Sequence, residues 1–388
     1  MSQRWTLESA ARERAPGLHP FAGARPGVFL RHALFTPKLD PRTRYQRFIA
    51  GLAQTVRFPF STLEALRHNA AIRGHRLADP PVILIGHWRS GTTHLHNLMS
   101  RDPQFGYLKF SETAMPLDML GPLLPFARRR IEKALPETRG FDEVKLALDE
   151  PQEEEMALGN LQRHGYYSVY HFPNDMAGHR DRAMFFEGLS PAEVRRFERE
   201  YEFLVRKVGY VKTGQRLLFK NPPSTTRMET ILRLFPDAKF VHIARNPWPV
   251  FSSNCGKFPR LYSAFAWQPF QDVDIPGYVL ETYEKVMRRF LEDRARLKLP
   301  PQQFAETTYE KIAQDPVGEV ERLYRQLGID WNAESARSIA AYAATLTNYQ
   351  PNVHRIAAEH ARVIRERWAF AFEAFGYDPE PPAGIEIA

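Results

Sequence analysis

The clearest pattern along the chain is a short apolar run, Pro81-Val82-Ile83-Leu84-Ile85, followed at once by small and polar residues. Five residues are too few for a buried helix and suit a buried strand. Leu95, Leu98 and Met99 then recur at helical spacing, so residues 82–101 predict a strand–loop–helix unit. A second unit follows the same plan. Arg216-Leu217-Leu218-Phe219-Lys220 is strand-like, and Pro222-Pro223-Ser224 makes a turn with Ser224 as a candidate N-cap. Met228, Ile231, Leu232 and Phe235 form a helical stripe, and Ala238 to Ala244 returns to strand before Arg245. Helical patterning also marks 42–52, 62–72, 151–162, 191–208, 277–297, 309–328 and 358–374, and 302–307 suits another strand. The prolines at 80 and 81 separate an N-terminal helical extension, 1–80, from a main domain, 81–388.

Strands alternating with helices predict an α/β fold with a parallel sheet covered on both faces. In such sheets ligands gather beyond the carboxyl ends of the strands. Here three of those ends carry Arg89, Lys220 and Arg245.

Composition narrows the picture. A chain of 388 residues buries a large core, and its net charge of +8 suits anionic ligands, acidic membrane surfaces or nucleic acid. Cys255 is the single cysteine, which excludes an internal disulfide and favours a reducing compartment. Residues 1–15 are charged and lack a signal-peptide core, and no apolar run reaches 18 residues. The expectation is a soluble, cytoplasmic protein.

Gly86-His87-Trp88-Arg89-Ser90-Gly91-Thr92-Thr93 has the two glycines of a phosphate-cradling loop at its turn into a helix N-terminus. The expected fold is therefore P-loop-like, a three-layer arrangement with a central parallel sheet flanked by helices. Thr92 stands where a nucleoside-triphosphate loop needs Lys, and the positive charge has moved to Arg89. At the strand ending in Arg245, where an NTPase places a carboxylate for Mg²⁺, the chain has Arg245-Asn246-Pro247. A ligand with two separated phosphates and no metal fits these residues better than a magnesium triphosphate. Ser253, eight residues after Arg245, can fall on the same side as that guanidinium.

These residues resemble the PAPS-dependent sulfotransferases, particularly the branch with the tyrosylprotein sulfotransferases and their bacterial relatives. Arg89-Ser90-Gly91-Thr92-Thr93 is similar to that family's 5′-phosphosulfate loop. Lys220-Asn221-Pro222, Phe235 to Phe240, and Arg245-Asn246-Pro247 with Ser253 are similar to its later segments. Tyr309-Glu310-Lys311-Ile312 with Asp315-Pro316 resembles its Tyr-Glu-x-Leu stretch, so the likeness spans roughly residues 80–330 in order.

The resemblance implies transfer of a sulfuryl group from 3′-phosphoadenosine 5′-phosphosulfate (PAPS) to a hydroxyl, or less often an amine. It implies no metal and release of adenosine 3′,5′-bisphosphate. The loop amides with Ser90, Gly91, Thr92 and Thr93 would hold the 5′-phosphate. Arg89 and Lys220 would act beside the sulfate, and Arg245, Ser253 and Lys257 on the 3′-phosphate. Tyr309 would lie near adenine or ribose. Glu112 maps onto the family's proposed general base. Ser224 stands where related bacterial chains often carry His, so no base is offered there.

Alternatives stay open at this level. His87, His94, His96 and the acidic run Asp149 to Glu155 compete with Glu112 as base, although such a run is also an ordinary solvated first helical turn. Ser111 is a candidate cap, and His354-Arg355 reads as an exposed basic pair, with a reach to the 3′-phosphate as the alternative. Tyr166, Tyr167, Tyr170 and Phe172 suit either a core or a site for a small-molecule, lipid or carbohydrate acceptor. Met115 to Arg130 suits core packing, a lid or peripheral membrane contact. Rival functions are a Mg-nucleotide kinase or NTPase, and a non-catalytic basic module for membranes or polyanions. Nucleic-acid binding lacks support, since no basic motif is interleaved with aromatics.

Overall fold

The computed structural model describes residues 6–12, 19–123, 125–126, 128, 132, 147–346 and 354–388. The chain forms two compact units, one made of 1–78, 107–214 and 257–273, the other of 79–106, 215–256 and 274–388.

The second unit holds the sheet. Five parallel strands, β1 (Val82–Ile85), β2 (Phe105–Gly106), β3 (Arg216–Lys220), β4 (Lys239–Ala244) and β5 (Phe304–Thr308), lie in the order β2-β3-β1-β4-β5. β1 is the central strand, with Val82 beside both Leu218 and Lys239. All four of its residues are buried, which explains why it reads as an uninterrupted apolar run rather than an alternating one. Helices cover the sheet, and Val82, Leu84, Leu95, Leu98, Val241 and Leu323 share one core cluster. The strand order reverses around β1, so its carboxyl end is the topological switch point where α/β sheets take their ligands. A separate two-stranded parallel ribbon pairs β6 (His354–Ile356) with β7 (Ile385–Ile387).

The first unit is helical. Helices Pro26–Phe35, Arg44–Gly74, Phe110–Ala114, Glu154–Leu161 and Pro191–Val211 are among its elements. Phe21, Phe29, Phe172 and Trp267 anchor its aromatic core. Under the long helix runs a buried ionic network. Arg57 binds Asp118 and the carbonyls of Ala22 and Ala24, while Lys207 binds Glu64 and the carbonyl of Pro116.

Several local expectations need correction. The patches at 42–52 and 62–72 are one helix of 31 residues, Arg44–Gly74, with Pro59 inside it. The 309–328 segment is two helices, Tyr309–Gln314 and Pro316–Leu327. Asp315 accepts from the Gly318 N–H and Pro316 starts a new first turn. The 358–374 segment likewise divides into Ala358–Arg367 and Ala369–Phe375 at Trp368. Ser224 caps no helix: Pro222–Thr226 is itself a 3₁₀ turn, and the next helix starts at Met228 after Arg227. Ser111 lies inside its helix, whose cap position is Lys109.

Candidate functional site

The loop after β1 is shaped by two glycines in left-handed backbone. Gly86 has φ 141°, and a Cβ there would sit 2.6 Å from the Ile243 carbonyl oxygen. Gly91 has φ 96°, and a Cβ there would sit 2.6 Å from Tyr309 Cδ2. Both positions therefore need glycine for conformation and for space. Between them Arg89 is also left-handed, at φ 71°, a strained state for a residue with a side chain. The Ser90 hydroxyl donates to the His87 carbonyl at 2.7 Å, so it braces the loop from within. Gly91 then leads into the Thr92–Met99 helix, whose first-turn N–H groups favour an anion.

Two residues that sequence reasoning missed hold this loop, one from the turn after β3 and one from the helix after β4. Thr225 Oγ1 accepts from the Gly86 N–H at 2.9 Å and donates to the Gly86 carbonyl at 3.2 Å. Asn254 Nδ2 donates to the Trp88 carbonyl at 2.9 Å. The available signals were a Ser-Thr-Thr run just after β3 and an Asn adjoining Ser253.

The cationic strand ends meet. Arg89 Nε donates to Ser253 Oγ at 2.7 Å, and Arg245 Nη1 donates to the Arg89 carbonyl at 3.0 Å. The Arg245 guanidinium stacks 4.1 Å over the Tyr309 ring, giving a planar cation an aromatic floor. Lys220, buried at the end of β3, donates to Thr93 Oγ1 at 3.3 Å in the helix after the loop. Since β3, β1 and β4 are adjacent strands, their ends lie within about 10 Å. Arg89, Ser90, Gly91, Thr92, Thr93, Lys220, Arg245, Ser253 and Tyr309 are thus gathered at one edge of one sheet.

His354, expected as part of an exposed basic pair, belongs to this edge instead. It is half-buried, its Nδ1 lies 3.1 Å from Ser252 Oγ, and its pKa is lowered by burial, then by the charges of Arg245 and Arg89. Arg355 beside it is exposed and pairs with Glu386.

The histidine candidates separate clearly. His96 is buried, and His87 is buried with Nδ1 3.0 Å from the Trp88 carbonyl. His94 keeps partial exposure, stands edge-on to Tyr309 at 6.4 Å, and burial lowers its pKa, which keeps it neutral near pH 7.

Glu112 and Lys257 belong to the first unit. Glu112 Oε1 pairs with Lys212 Nζ at 2.6 Å, and its Oε2 accepts the Lys109 N–H at 2.9 Å. Two partners leave lone-pair capacity on a carboxylate, which offers about four positions. Lys257 is buried, its Nζ 5.3 Å from the centre of the Phe258 ring. In the acidic run, Glu154 and Glu155 are buried rather than solvated, and Glu155 accepts the Tyr166 N–H at 2.7 Å. Of Met115 to Arg130, residues 124, 127, 129 and 130 lie outside the described residues.

Residues 80–333 match a family model described as the sulfotransferase family. The omega-hydroxy-beta-dihydromenaquinone-9 sulfotransferase Stf3 of Mycobacterium bovis is 30% identical over 309 residues, covering 79% of this chain and 78% of that protein. The Stf3 of Mycobacterium tuberculosis matches with the same figures. In fold, the chain is similar to the sulfotransferase STF9 of Mycobacterium avium, with a TM-score of 0.70 at 17% identity over 96% of each chain. It is also similar to STF1 of Mycobacterium tuberculosis, with a TM-score of 0.60 at 20% identity over 89% of this chain and 90% of that one.

Proposed function

Because the chain belongs to the sulfotransferase family, we propose that it moves a sulfuryl group from PAPS to the hydroxyl of an apolar, lipid-like acceptor. The observation that carries the donor assignment is the junction of Arg89, Arg245 and Ser253 at the ends of β1 and β4. It supports a site for two separated phosphates, with an arginine where a magnesium site needs a carboxylate.

In the proposed reaction the acceptor oxygen attacks sulfur while the bond from sulfur to the bridging oxygen breaks, and the hydroxyl proton passes to a base. Adenosine 3′,5′-bisphosphate leaves. Charge is spread over sulfate oxygens, so preorganised donors carry most of the catalysis. Loop amides with Thr92 and Thr93 hold the 5′-phosphate, and Ser90 keeps the loop in shape. Arg89 and Lys220 neutralise charge on the bridging oxygen and the sulfate. Arg245 and Ser253, with Lys257 as an auxiliary cation, hold the 3′-phosphate, and Tyr309 supports the adenosine. Glu112 takes the acceptor proton, with His94 the alternative among the histidines. Residues 81–388 make up the transferase domain and 1–80 its helical extension, in a cytoplasmic enzyme.

The acceptor class is supported by Stf3, whose name describes an omega-hydroxylated menaquinone substrate. Long-chain alcohols and hydroxylated quinols, incubated with sulfur-labelled PAPS, test this directly. Labelled lipid should form with the native chain and fall about a hundredfold or more with Arg89→Ala. Equal labelling by both proteins would overturn the role of Arg89, and labelling of sugars alone would overturn the acceptor class.

A further inference from the structure

The first unit carries a run of exposed apolar side chains on its surface. Along the Arg44–Gly74 helix, Tyr45, Phe48, Leu52, Val56, Leu63 and Leu66 are 70, 67, 51, 54, 40 and 79% exposed. Their spacing of three, four or seven residues puts them on one helical face. At 1.5 Å per residue that stripe runs for about 32 Å. The opposite face, with Ala50, Gln54, Arg57, Glu64 and Ile72, is buried. The Pro26–Phe35 helix, whose Phe29 meets the long helix near Gly51, adds exposed Leu30, Leu34 and Phe35. An apolar surface of this extent is rare on a monomer without a binding role.

The charges around the stripe identify its partner. Between residues 26 and 74 the only carboxylates are Asp40 and Glu64. Both are buried, Asp40 held by Arg42 and Glu64 by Lys207. The exposed charged residues are Arg31, Lys38, Arg42, Arg44, Arg67 and Arg73. A second copy meeting this face about a two-fold axis would set arginines against arginines, with no exposed acid on either helix to pair them. A bilayer with anionic headgroups meets both needs, since acyl chains take the apolar stripe and phosphates take the arginines. Tyr45 has the apolar ring and polar tip that suit the headgroup level.

We propose that the Pro26–Phe35 and Arg44–Gly74 helices form a docking face that lies on the surface of an anionic lipid bilayer. Docking would bring the enzyme to acceptors dissolved in that bilayer. This extends the assignment of a lipid-like acceptor but rests on the surface alone, so nucleotide binding and vesicle binding are lost by different substitutions.

Flotation of the full chain with vesicles tests it. Vesicles of phosphatidylcholine with about a third phosphatidylglycerol should carry the native protein up the gradient at low salt, and pure phosphatidylcholine far less. Phe48→Ser with Leu52→Ser and Leu66→Ser should lower partitioning at least tenfold while leaving the circular dichroism and bisphosphate affinity unchanged. Arg44→Gln with Arg67→Gln and Arg73→Gln keeps the stripe intact. Each arginine near the surface contributes about 1 kcal/mol, close to fivefold, so the triple change should also cost more than tenfold. No flotation of the native protein on anionic vesicles would overturn the proposal. So would flotation of both triple variants equal to the native protein's, or a native dimer that the serine variant dissociates without changing flotation.

Discussion

Acidification should destabilise this chain well above the pH at which its carboxylates titrate, because the aromatic core of the first unit packs histidines that must stay neutral. The His19 ring lies tilted, 4.4 Å from Trp267 and 4.7 Å from His171, and His32 stacks on Phe21 and Phe172. His19 Nδ1 accepts the Phe21 N–H at 3.2 Å while Nε2 faces the Phe265 carbonyl at 3.1 Å. A second ring proton would oppose the Phe21 donor. Burial lowers the pKa of His19 to about 3, against the opposing effect of the Phe265 carbonyl. Burial, then the neighbouring His179 and Arg163, lowers that of His32 to about 3, and burial lowers His171 in the same direction. The folded state therefore binds these protons less tightly than the unfolded chain, whose histidines titrate near 6.5. Stability is complete above pH 6.5 and is lost progressively from there towards about pH 3. Each pH step costs about 1.4 kcal/mol per histidine, so at pH 5 His19 and His32 cost about 2 kcal/mol each. Their combined 4 kcal/mol compares with a total stability of about 5–15 kcal/mol. Urea unfolding between pH 7 and 5, followed by tryptophan fluorescence, reads this directly. It should show uptake of about two protons or more on unfolding, and His32→Met should remove about one. Equal stability at pH 7 and pH 5 would refute the reasoning.

Other expectations concern the site and its supports. Gly91→Ala places a Cβ against Tyr309 and forces a left-handed alanine, so the affinity for adenosine 3′,5′-bisphosphate should fall by about tenfold or more; unchanged calorimetry would contradict the loop geometry. Glu112→Gln should lower the single-turnover rate at least a hundredfold with donor affinity nearly intact, whereas a full rate would shift the base to His94 and make His94→Gln the slow variant. Lys207→Met leaves the buried Glu64 carboxylate without its 2.5 Å partner, and should cost about 3–5 kcal/mol in urea unfolding. Combining it with Glu64→Leu should restore part of that loss.

The parts of the fold that were legible in the sequence are those where one physical requirement dominates. β1 is buried on every side, so it must be apolar, and its two loop glycines follow from backbone conformation. The meeting of Arg89, Lys220 and Arg245 at neighbouring strand ends followed from the alternation of strands and helices. Contacts between distant segments left weaker traces. Thr225 and Asn254 brace the phosphate loop through hydroxyl and amide groups that resemble ordinary turn and helix residues. His354 joins the cationic edge from more than a hundred residues beyond Ser252. The run at 149–155 reads as solvated by composition, yet tertiary packing buries Glu154 and Glu155. The pattern reads as two helical patches, 42–52 and 62–72, but packing of the buried face carries one helix through Pro59 between them.

The measurement that bears most directly on the central claim is calorimetric titration with adenosine 3′,5′-bisphosphate and with the analogue lacking the 3′-phosphate, each with and without Mg²⁺. The native chain should bind the bisphosphate equally well without the ion and lose at least tenfold when the 3′-phosphate is absent. Arg245→Ala should erase that difference between the two nucleotides. Binding that required Mg²⁺, or an Arg245→Ala protein that still distinguished the nucleotides as the native chain does, would contradict a metal-independent grip on two separated phosphates.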